Sequence, residues 1–126
     1  MAQVPYSNVV GSLMYAMMCT RPDISFVVGL VSRFQSNSGL AHWKAIKWIL
    51  CYLKGTTDCM LCYRGANLNL VSYSDADWRR DLDERKSISD YAFLLTGGSI
   101  SWSSKKQSCI SLSTMKAEFI ACFVVA

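Results

Sequence analysis

The sequence predicts an α+β fold in which a helical half precedes a half built from strands. Three observations support this. Apolar residues recur at helical spacing up to Gly55, alternate with polar residues over 59–112, and return to helical spacing after Ser113. Helices followed by an antiparallel meander and a last helix are typical of the α+β class. A chain of 126 residues allows one domain or two small ones, and we place the two segments at 1–57 and 58–126.

The helical segment is predicted to contain three helices. The first, Tyr6 to Met18, is apolar on nearly every side and is expected to be well buried. The second begins in the TRPDI motif, where Pro22 favours a first helical turn, and runs to about Gln35. The third is Leu40 to Lys54, followed by Gly55 as the residue that ends it.

The third predicted helix has the clearest periodicity and two distinct faces. Its apolar stripe consists of Trp43, Ile46, Ile49, Leu50 and Leu53. A separate face carries Lys44, Lys47 and Lys54, which is usual for a solvated surface but is also compatible with phosphate contacts. The lone His42 at the start of this helix is expected to cap or pack rather than to catalyse.

The second segment is predicted to be a meander. CMLCYR and LNLVSYSDA form a first strand pair joined by RGAN, and YAFLL and SISWSS flank Gly97-Gly98, a strong hairpin signal. A turn through Lys105-Lys106-Gln107 leads into CISLS. Ser113 then caps a final helix that begins at Thr114.

Composition restricts the possible functions. A net charge of +4 permits a polyanionic partner without requiring one, and the apolar runs are too short to span a membrane, so no membrane partner is expected. Six cysteines without an export signal indicate reduced thiols in a cytosolic or nuclear setting. Cys59 and Cys62 form a single CxxC without the second half of a zinc site, so we interpret them as two small residues of a strand.

The stretch YSDADW, residues 73–78, places two carboxylates on one face of a strand. Asp75 follows an apolar run and needs a partner there, which is either a divalent metal or a nearby Arg or Lys. Glu118, one turn into the last helix, faces Asp75 if that helix packs on the sheet. Such a pair suits Mg²⁺, although acidic pairs are more often structural, and both interpretations remain open. The acids of the following loop are expected to be solvated: Asp81, Asp83 and Glu84.

Longer motifs resemble the Pol polyprotein of copia-type LTR retrotransposons, most of all the plant elements, over nearly the whole chain. VPYSNVVGSLMYAMMCTRPDI and HWKAIKWILCYLKGT are similar to the helical segment that follows the reverse-transcriptase palm. YSDADW, RKSISDYAFLLTGGSISWSSKKQ and SLSTMKAEFIA are similar to the opening of the adjoining ribonuclease H domain. The resemblance implies that residues 58–126 form a truncated ribonuclease H-like meander with its first helix. The edge of its first strand is then expected to be unpaired, or covered only by the N-terminal helices.

In that family the ribonuclease H domain cuts the RNA strand of RNA–DNA hybrids with two divalent ions, Mg²⁺ or Mn²⁺. Asp75 matches the acidic metal ligand of the first strand, and Glu118 matches the ligand of the first helix. The family's later acidic ligands and its polymerase aspartates have no counterpart in these 126 residues, so we expect little or no hydrolysis by this chain alone. The implied partners are a hybrid or other nucleic acid and the rest of Pol. The implied location is a cytoplasmic virus-like particle or the nucleus.

Three positions depart from the family pattern, as in a decaying element copy. Lys116 replaces a usual Glu that would complete a capping box with Ser113, and its charge opposes the helix dipole at a cost of about 0.5–1 kcal/mol. Cys51 replaces a basic residue, and Asp90 replaces a Gly.

The alternative function is a nucleic-acid-binding module without catalysis. It rests on seven cationic residues: Lys44, Lys47, Lys54, Arg79, Arg80, Lys105 and Lys106. Trp43 and Trp48 are candidate stacking groups, although we prefer to interpret both as core residues. The two functions differ in metal dependence, because hydrolysis requires Mg²⁺ or Mn²⁺ whereas phosphate binding weakens with salt.

Overall fold

A computed structural model describes residues 5–126 and confirms the α+β class. The described residues form four α-helices and one open antiparallel sheet of three strands. Residues 1–4, which open the predicted segment 1–57 and the first family-like motif, lie outside the described residues. The chain divides into two compact units, of which the first ends at Leu61 and the second is Cys62–Ala126. None of the helices in the described part combines the length and the apolar character needed to cross a membrane.

The first unit is a small helical bundle with one core. Its elements are α1 (Tyr6–Cys19), a 3₁₀ turn (Pro22–Ile24), α2 (Ser25–Ser32) and α3 (Leu40–Gly55). Side chains from all of them form the core: Tyr6, Val10, Leu13, Ile24, Val28, Val31, Ile46 and Ile49. The buried hydroxyl of Tyr6 donates to the carbonyl of Val31 at 2.8 Å, which satisfies the polar end of an otherwise apolar side chain.

Several details of the helical prediction are wrong. Only one side of α1 packs on the core, so Tyr15 and Met18 remain 72% and 69% exposed. The second helix ends at Ser32, and the chain continues in short turns. Gly55 lies within α3 rather than after it, and Leu50 is 42% exposed because it lies at the margin of the apolar stripe.

Hydrogen bonds connect the 3₁₀ turn that precedes α2 to the end of α3. Arg21 donates to both carboxylate oxygens of Asp23 at 3.1 and 2.8 Å, and to the hydroxyl and carbonyl of Thr56 at 2.6 and 3.2 Å. The Tyr52 hydroxyl donates to Asp23 at 2.6 Å. Partial burial alone would raise the pKa of Asp23, but the hydrogen bonds from Arg21 and Tyr52 and the guanidinium charge outweigh it and lower that pKa. Asp23 is therefore an ionised, internally neutralised carboxylate.

The second unit is a three-stranded meander covered on one side by a helix. Its strands are β1 (Leu70–Asp77), β2 (Ile88–Leu95) and β3 (Gly98–Lys106), in the order β1-β2-β3, and α4 (Thr114–Val125) packs on β1 and β2. In the described part of the chain β1 pairs with β2 alone, so it forms an edge of the sheet and the predicted pairing of CMLCYR with this strand is wrong.

The predicted hairpin and the predicted helix cap are both confirmed. Thr96 and Gly97, with φ of 52° and 82°, form the tight turn between β2 and β3, one residue earlier than the Gly-Gly pair. At the start of α4 the Ser113 hydroxyl accepts the amide hydrogen of Lys116 at 3.3 Å. The cap forms through the backbone, so the lysine side chain does not prevent it.

Two predicted strands do not form. CMLCYR, residues 59–64, runs without strand structure and contacts the hairpin instead: the Arg64 amide donates to the Thr96 carbonyl at 3.0 Å. CISLS, residues 109–113, is also irregular. Lys105 and Lys106 lie in β3 itself rather than in a turn.

Candidate functional site

The strand and the helix that hold the two candidate metal ligands pack against each other. Asp75 lies near the end of β1, and Glu118 lies one turn into α4. The two elements meet where the Ser74 hydroxyl and the Cys122 thiol lie 3.4 Å apart. Asp75 directly follows Ser74 on β1, and Glu118 lies one helical turn before Cys122 on α4. The condition under which Glu118 was expected to face Asp75, packing of the last helix on the sheet, is met, while metal binding by Asp75 and Glu118 stays a prediction.

Asp75 is exposed on a sheet face that carries a second carboxylate. Side chains alternate along a strand, so Asp75 points away from the face that Ser74 presents to α4. Its Oδ1 accepts the amide hydrogen of Ala76 at 2.8 Å. Asp90 is its direct neighbour on β2, and the Oδ1 of Asp90 is buried without a hydrogen-bond partner in the described structure. Two facing carboxylates repel each other, and a bound cation would relieve that repulsion.

The chemistry of the donors fits a hard divalent cation. Asp75 and Glu118 offer oxygen ligands and both are exposed, which suits Mg²⁺ because this ion is often bound by one or two carboxylates together with waters and substrate phosphates. Within residues 5–126 no group of three or more His, Cys, Asp or Glu side chains is arranged to hold a metal ion. Any site built on these two residues is therefore an open one.

Two of the candidate phosphate-binding cations of the second unit, Lys106 and Arg80, form ion pairs with carboxylates. Lys106 pairs with Asp81 at 2.9 Å and with Glu84 at 3.1 Å. Those two hydrogen bonds raise the pKa of Lys106. Arg80 pairs with Asp77 at 2.9 Å. Asp81, whose side chain is 8% exposed, is therefore buried in an ion pair, and the expectation that it is solvated is wrong. Because Lys106 is paired with carboxylates, it is less available to bind a phosphate.

Two further cations of the second unit lie at its surface. The Arg79 guanidinium lies 4.7 Å from the ring centre of Trp78, and Lys105 is exposed on β3. Both are accessible to an anionic partner, although Arg79 is already engaged with an aromatic ring. As phosphate contacts, both remain predictions.

In the first unit, α3 exposes the predicted lysines together with a tryptophan. Lys44, Lys47 and Lys54, called here the α3 basic face, are all exposed. Trp43 packs against the core as preferred, but Trp48 is 79% exposed, so its interpretation as a core residue is wrong. Trp48 comes two residues after Ile46, about 200° further around the helix, and this angle alone could have predicted its exposure.

His42 has the structural role that its position predicts. Its Nδ1 accepts the amide hydrogen of Gly39 at 2.8 Å, which satisfies a backbone donor at the start of α3. The ring stacks on Phe34 with the two centres 4.1 Å apart. Both contacts hold the histidine as a cap.

Sequence patterns do not reveal the most connected buried residue of the second unit, Gln107. Its side-chain amide donates to the Ser89 hydroxyl at 2.7 Å and to the Ala117 carbonyl at 3.0 Å, and its oxygen accepts the Ser111 hydroxyl at 3.1 Å. Its backbone amide donates to the Ser87 carbonyl at 2.8 Å. Gln107 therefore joins β2, the segment before α4, and α4 itself.

Known proteins resemble this chain over nearly all of its length. It is 59% identical over 121 residues to the retrovirus-related Pol polyprotein from transposon TNT 1-94 of Nicotiana tabacum, a match that covers 96% of this chain and 9% of the polyprotein. It is 42% identical over 115 residues to the Pol polyprotein from transposon RE2 of Arabidopsis thaliana, covering 90% of this chain and 8% of that one. The secreted RxLR effector protein 161 of Plasmopara viticola is 45% identical over 122 residues, which cover 96% of this chain and 86% of the effector.

The chain thus spans less than a tenth of the two polyproteins and most of the effector. No family model matches it, and no solved structure matches it either. The similarity to the transposon polyproteins agrees with the motifs of both segments. The chain belongs to the family of retrovirus-related Pol polyproteins from copia-type transposons.

Proposed function

We propose that residues 62–126 form the opening of a ribonuclease H-like domain and supply two of its metal-binding carboxylates, Asp75 and Glu118. The reaction is hydrolysis of the RNA strand of an RNA–DNA hybrid. The observation that carries the proposal is the packing of α4 on β1, because it joins the elements that hold the two carboxylates. Membership of the Pol family supports the same assignment.

Each carboxylate has a separate part in this function. The Ala76 amide orients Asp75 through Oδ1, which leaves Oδ2 to face a cation. Glu118 is exposed in the first turns of α4 and would supply the second carboxylate from the helix. A divalent ion supplies Lewis acidity at the scissile phosphate when it is bound. Because two carboxylates leave most ligand positions to other groups, this chain by itself does not cut the hybrid.

A chimera tests the role of the two carboxylates. In the tobacco Pol polyprotein the matched 121 residues are replaced by this chain, and cleavage of a labelled RNA–DNA hybrid is measured with Mn²⁺. Asp75→Asn and Glu118→Gln are each expected to lower the rate by at least about 100-fold, since even groups behind a metal ligand contribute 10–100-fold. Asp83→Asn, which removes an exposed carboxylate from the adjacent loop, is the matched control and should leave the rate unchanged.

The isolated chain gives a second result from the same assay. No cleavage is expected from a chain whose circular dichroism shows it to be folded. Cleavage by the isolated chain that both substitutions abolish would mean that two carboxylates, or two copies of the chain, are sufficient. Full activity of either carboxylate variant in the chimera would contradict the assignment.

A second candidate function is nucleic-acid binding by the first unit. The observation that favours it is the exposure of the α3 basic face, Lys44, Lys47 and Lys54. This unit carries five Lys and Arg residues against two Asp, which accounts for +3 of the net charge of +4. Such a surface attracts phosphates without reading sequence.

The salt dependence of binding tests this second function. Changing the three lysines of the α3 basic face to Gln should weaken the binding of a single-stranded oligonucleotide. It should also reduce the slope of log K against log salt by about 2, because each phosphate contact contributes about 0.7 on a single strand. Lys106→Gln, at a lysine already paired with Asp81 and Glu84, should change the slope little. An unchanged slope in the triple variant would exclude this face as the phosphate contact.

A further inference from the structure

An open groove lies between α2 and α3 in the first unit, beside the exposed tryptophan. It has a volume of about 410 Å³ and is lined by Asp23, Ile24, Val27, Trp48, Ile49 and Tyr52. The indole of Trp48 is 79% exposed and the ring of Tyr52 is 47% exposed. Pockets of roughly 300–1,000 Å³ with apolar walls and few polar groups are typical of sites for small-molecule ligands.

The aromatic wall of this groove has a cation at each end. Lys44, Trp48 and Tyr52 follow each other at intervals of four residues on α3, so their side chains lie in one row along the helix. At the far end of the row the Arg21 guanidinium lies 5.6 Å from the ring centre of Tyr52. Arg21 is already paired with Asp23, so Lys44 is the cation of this row that is open to a phosphate. Sites for single strands combine such cations with aromatic rings on which bases stack.

The single carboxylate of the groove does not oppose an anionic ligand. Asp23 is paired with Arg21 and accepts the Tyr52 hydroxyl, so its charge is compensated locally. These contacts use three of the roughly four acceptor positions of a carboxylate. The remaining position is able to accept a hydrogen from the edge of a base.

We propose that this groove binds one base of a single-stranded nucleic acid, stacked on Trp48, with the neighbouring phosphates on Lys44 and Lys47. The proposal rests on the second candidate function, since it adds a base-stacking site to the α3 basic face. Charge favours a nucleic acid over an apolar peptide, because the surface around the groove is cationic and the carboxylate within it is neutralised. A single strand is required, since the bases of a duplex are already stacked on each other.

Two probes with the same charge separate stacking from phosphate binding. One is a fluorescently labelled oligothymidine of about ten nucleotides, a length within the range that such sites cover, and the other is the same backbone without bases. Fluorescence anisotropy with the full chain should show about 10-fold tighter binding of the oligothymidine, since stacking of one base contributes roughly 1–3 kcal/mol. Trp48→Ala should remove this difference and leave the binding of the abasic probe unchanged. Trp48→Phe should retain part of it.

The outcomes distinguish this inference from the function on which it rests. Equal, salt-dependent binding of both probes would overturn base stacking while leaving the α3 basic face intact. Loss of binding in the triple lysine variant, with a preserved preference for bases in the wild-type chain, would support both. If neither probe binds and Trp48→Ala instead converts a self-associating chain into a monomer in gel filtration, the groove is a protein contact and the inference is wrong.

Discussion

Replacing Gln107 by Leu is expected to destabilise the second unit by about 2–4 kcal/mol. The substitution nearly preserves volume but removes every side-chain hydrogen bond of the buried amide, which is 6% exposed. The hydroxyls of Ser89 and Ser111, 9% and 0% exposed, then remain buried without their partner. Each buried polar group that loses its partner costs roughly 1–3 kcal/mol. Urea unfolding followed by circular dichroism measures the change.

Two further variants test whether the loss of stability comes from the hydrogen bonds of Gln107. Ser108→Ala, at an exposed position next to Gln107, should leave the free energy of unfolding within about 0.5 kcal/mol of the wild type. Adding Ser89→Ala and Ser111→Ala to Gln107→Leu should recover part of the loss, because removing both partners of a hydrogen bond costs less than removing one. A triple variant less stable than Gln107→Leu would contradict this account of the network.

Gly98→Ala is expected to destabilise the second unit by about 1–3 kcal/mol through overpacking. A Cβ at this position would lie 2.5 Å from Cδ1 of Tyr63 and 2.7 Å from the carbonyl oxygen of Cys62. The segment at 62–64 is held over the hairpin, since the Tyr63 hydroxyl also donates to the Ser99 carbonyl at 2.7 Å. The added methyl therefore meets a side chain and a backbone that are both fixed.

A double-mutant cycle separates the clash from any general effect of the substitution. On a Tyr63→Ala background, Gly98→Ala should cost less, because only the contact with the Cys62 carbonyl remains. Gly11→Ala is the opposite control, since nothing lies within 4 Å of a Cβ there and alanine favours the helix. If Gly98→Ala is as harmless as Gly11→Ala, the segment at 62–64 does not pack on the hairpin as described.

The parts of the fold that depend on local periodicity could be predicted from the sequence. α3 was recognisable because Ile46 and Ile49 repeat at helical spacing, and the start of α4 because Ser113 is a good cap. CMLCYR has the alternation of a strand and was expected to pair with the strand that forms β1, but in the described part of the chain β1 pairs with β2 alone. The segment instead contacts the β2–β3 hairpin, where Arg64 bonds to Thr96 and Tyr63 bonds to Ser99. Local alternation does not reveal which of these contacts, distant in sequence, will form.

The candidate site was only partly predictable for the same reason. Family motifs singled out Asp75 and Glu118, whereas the packing of α4 on β1 entered the sequence analysis only as a condition. The pairing of Asp75 with Asp90 depends on the strand register, and the role of Gln107 depends on three partners distant in sequence. The ion pairs that occupy Lys106 also depend on the conformation of the preceding loop.

A magnesium titration of the ¹⁵N-labelled chain, followed by NMR, tests most directly whether Asp75 and Glu118 form one metal site. The account predicts that the amide signals of residues 74–77 and of residues 117–119 shift along a single saturation curve. Asp75→Asn and Glu118→Gln should each weaken both sets of shifts by at least about 10-fold, and Asp83→Asn should not. Two independent curves, or shifts confined to residues 81–84, would show that the two carboxylates do not hold a metal together and would contradict the proposed half-site.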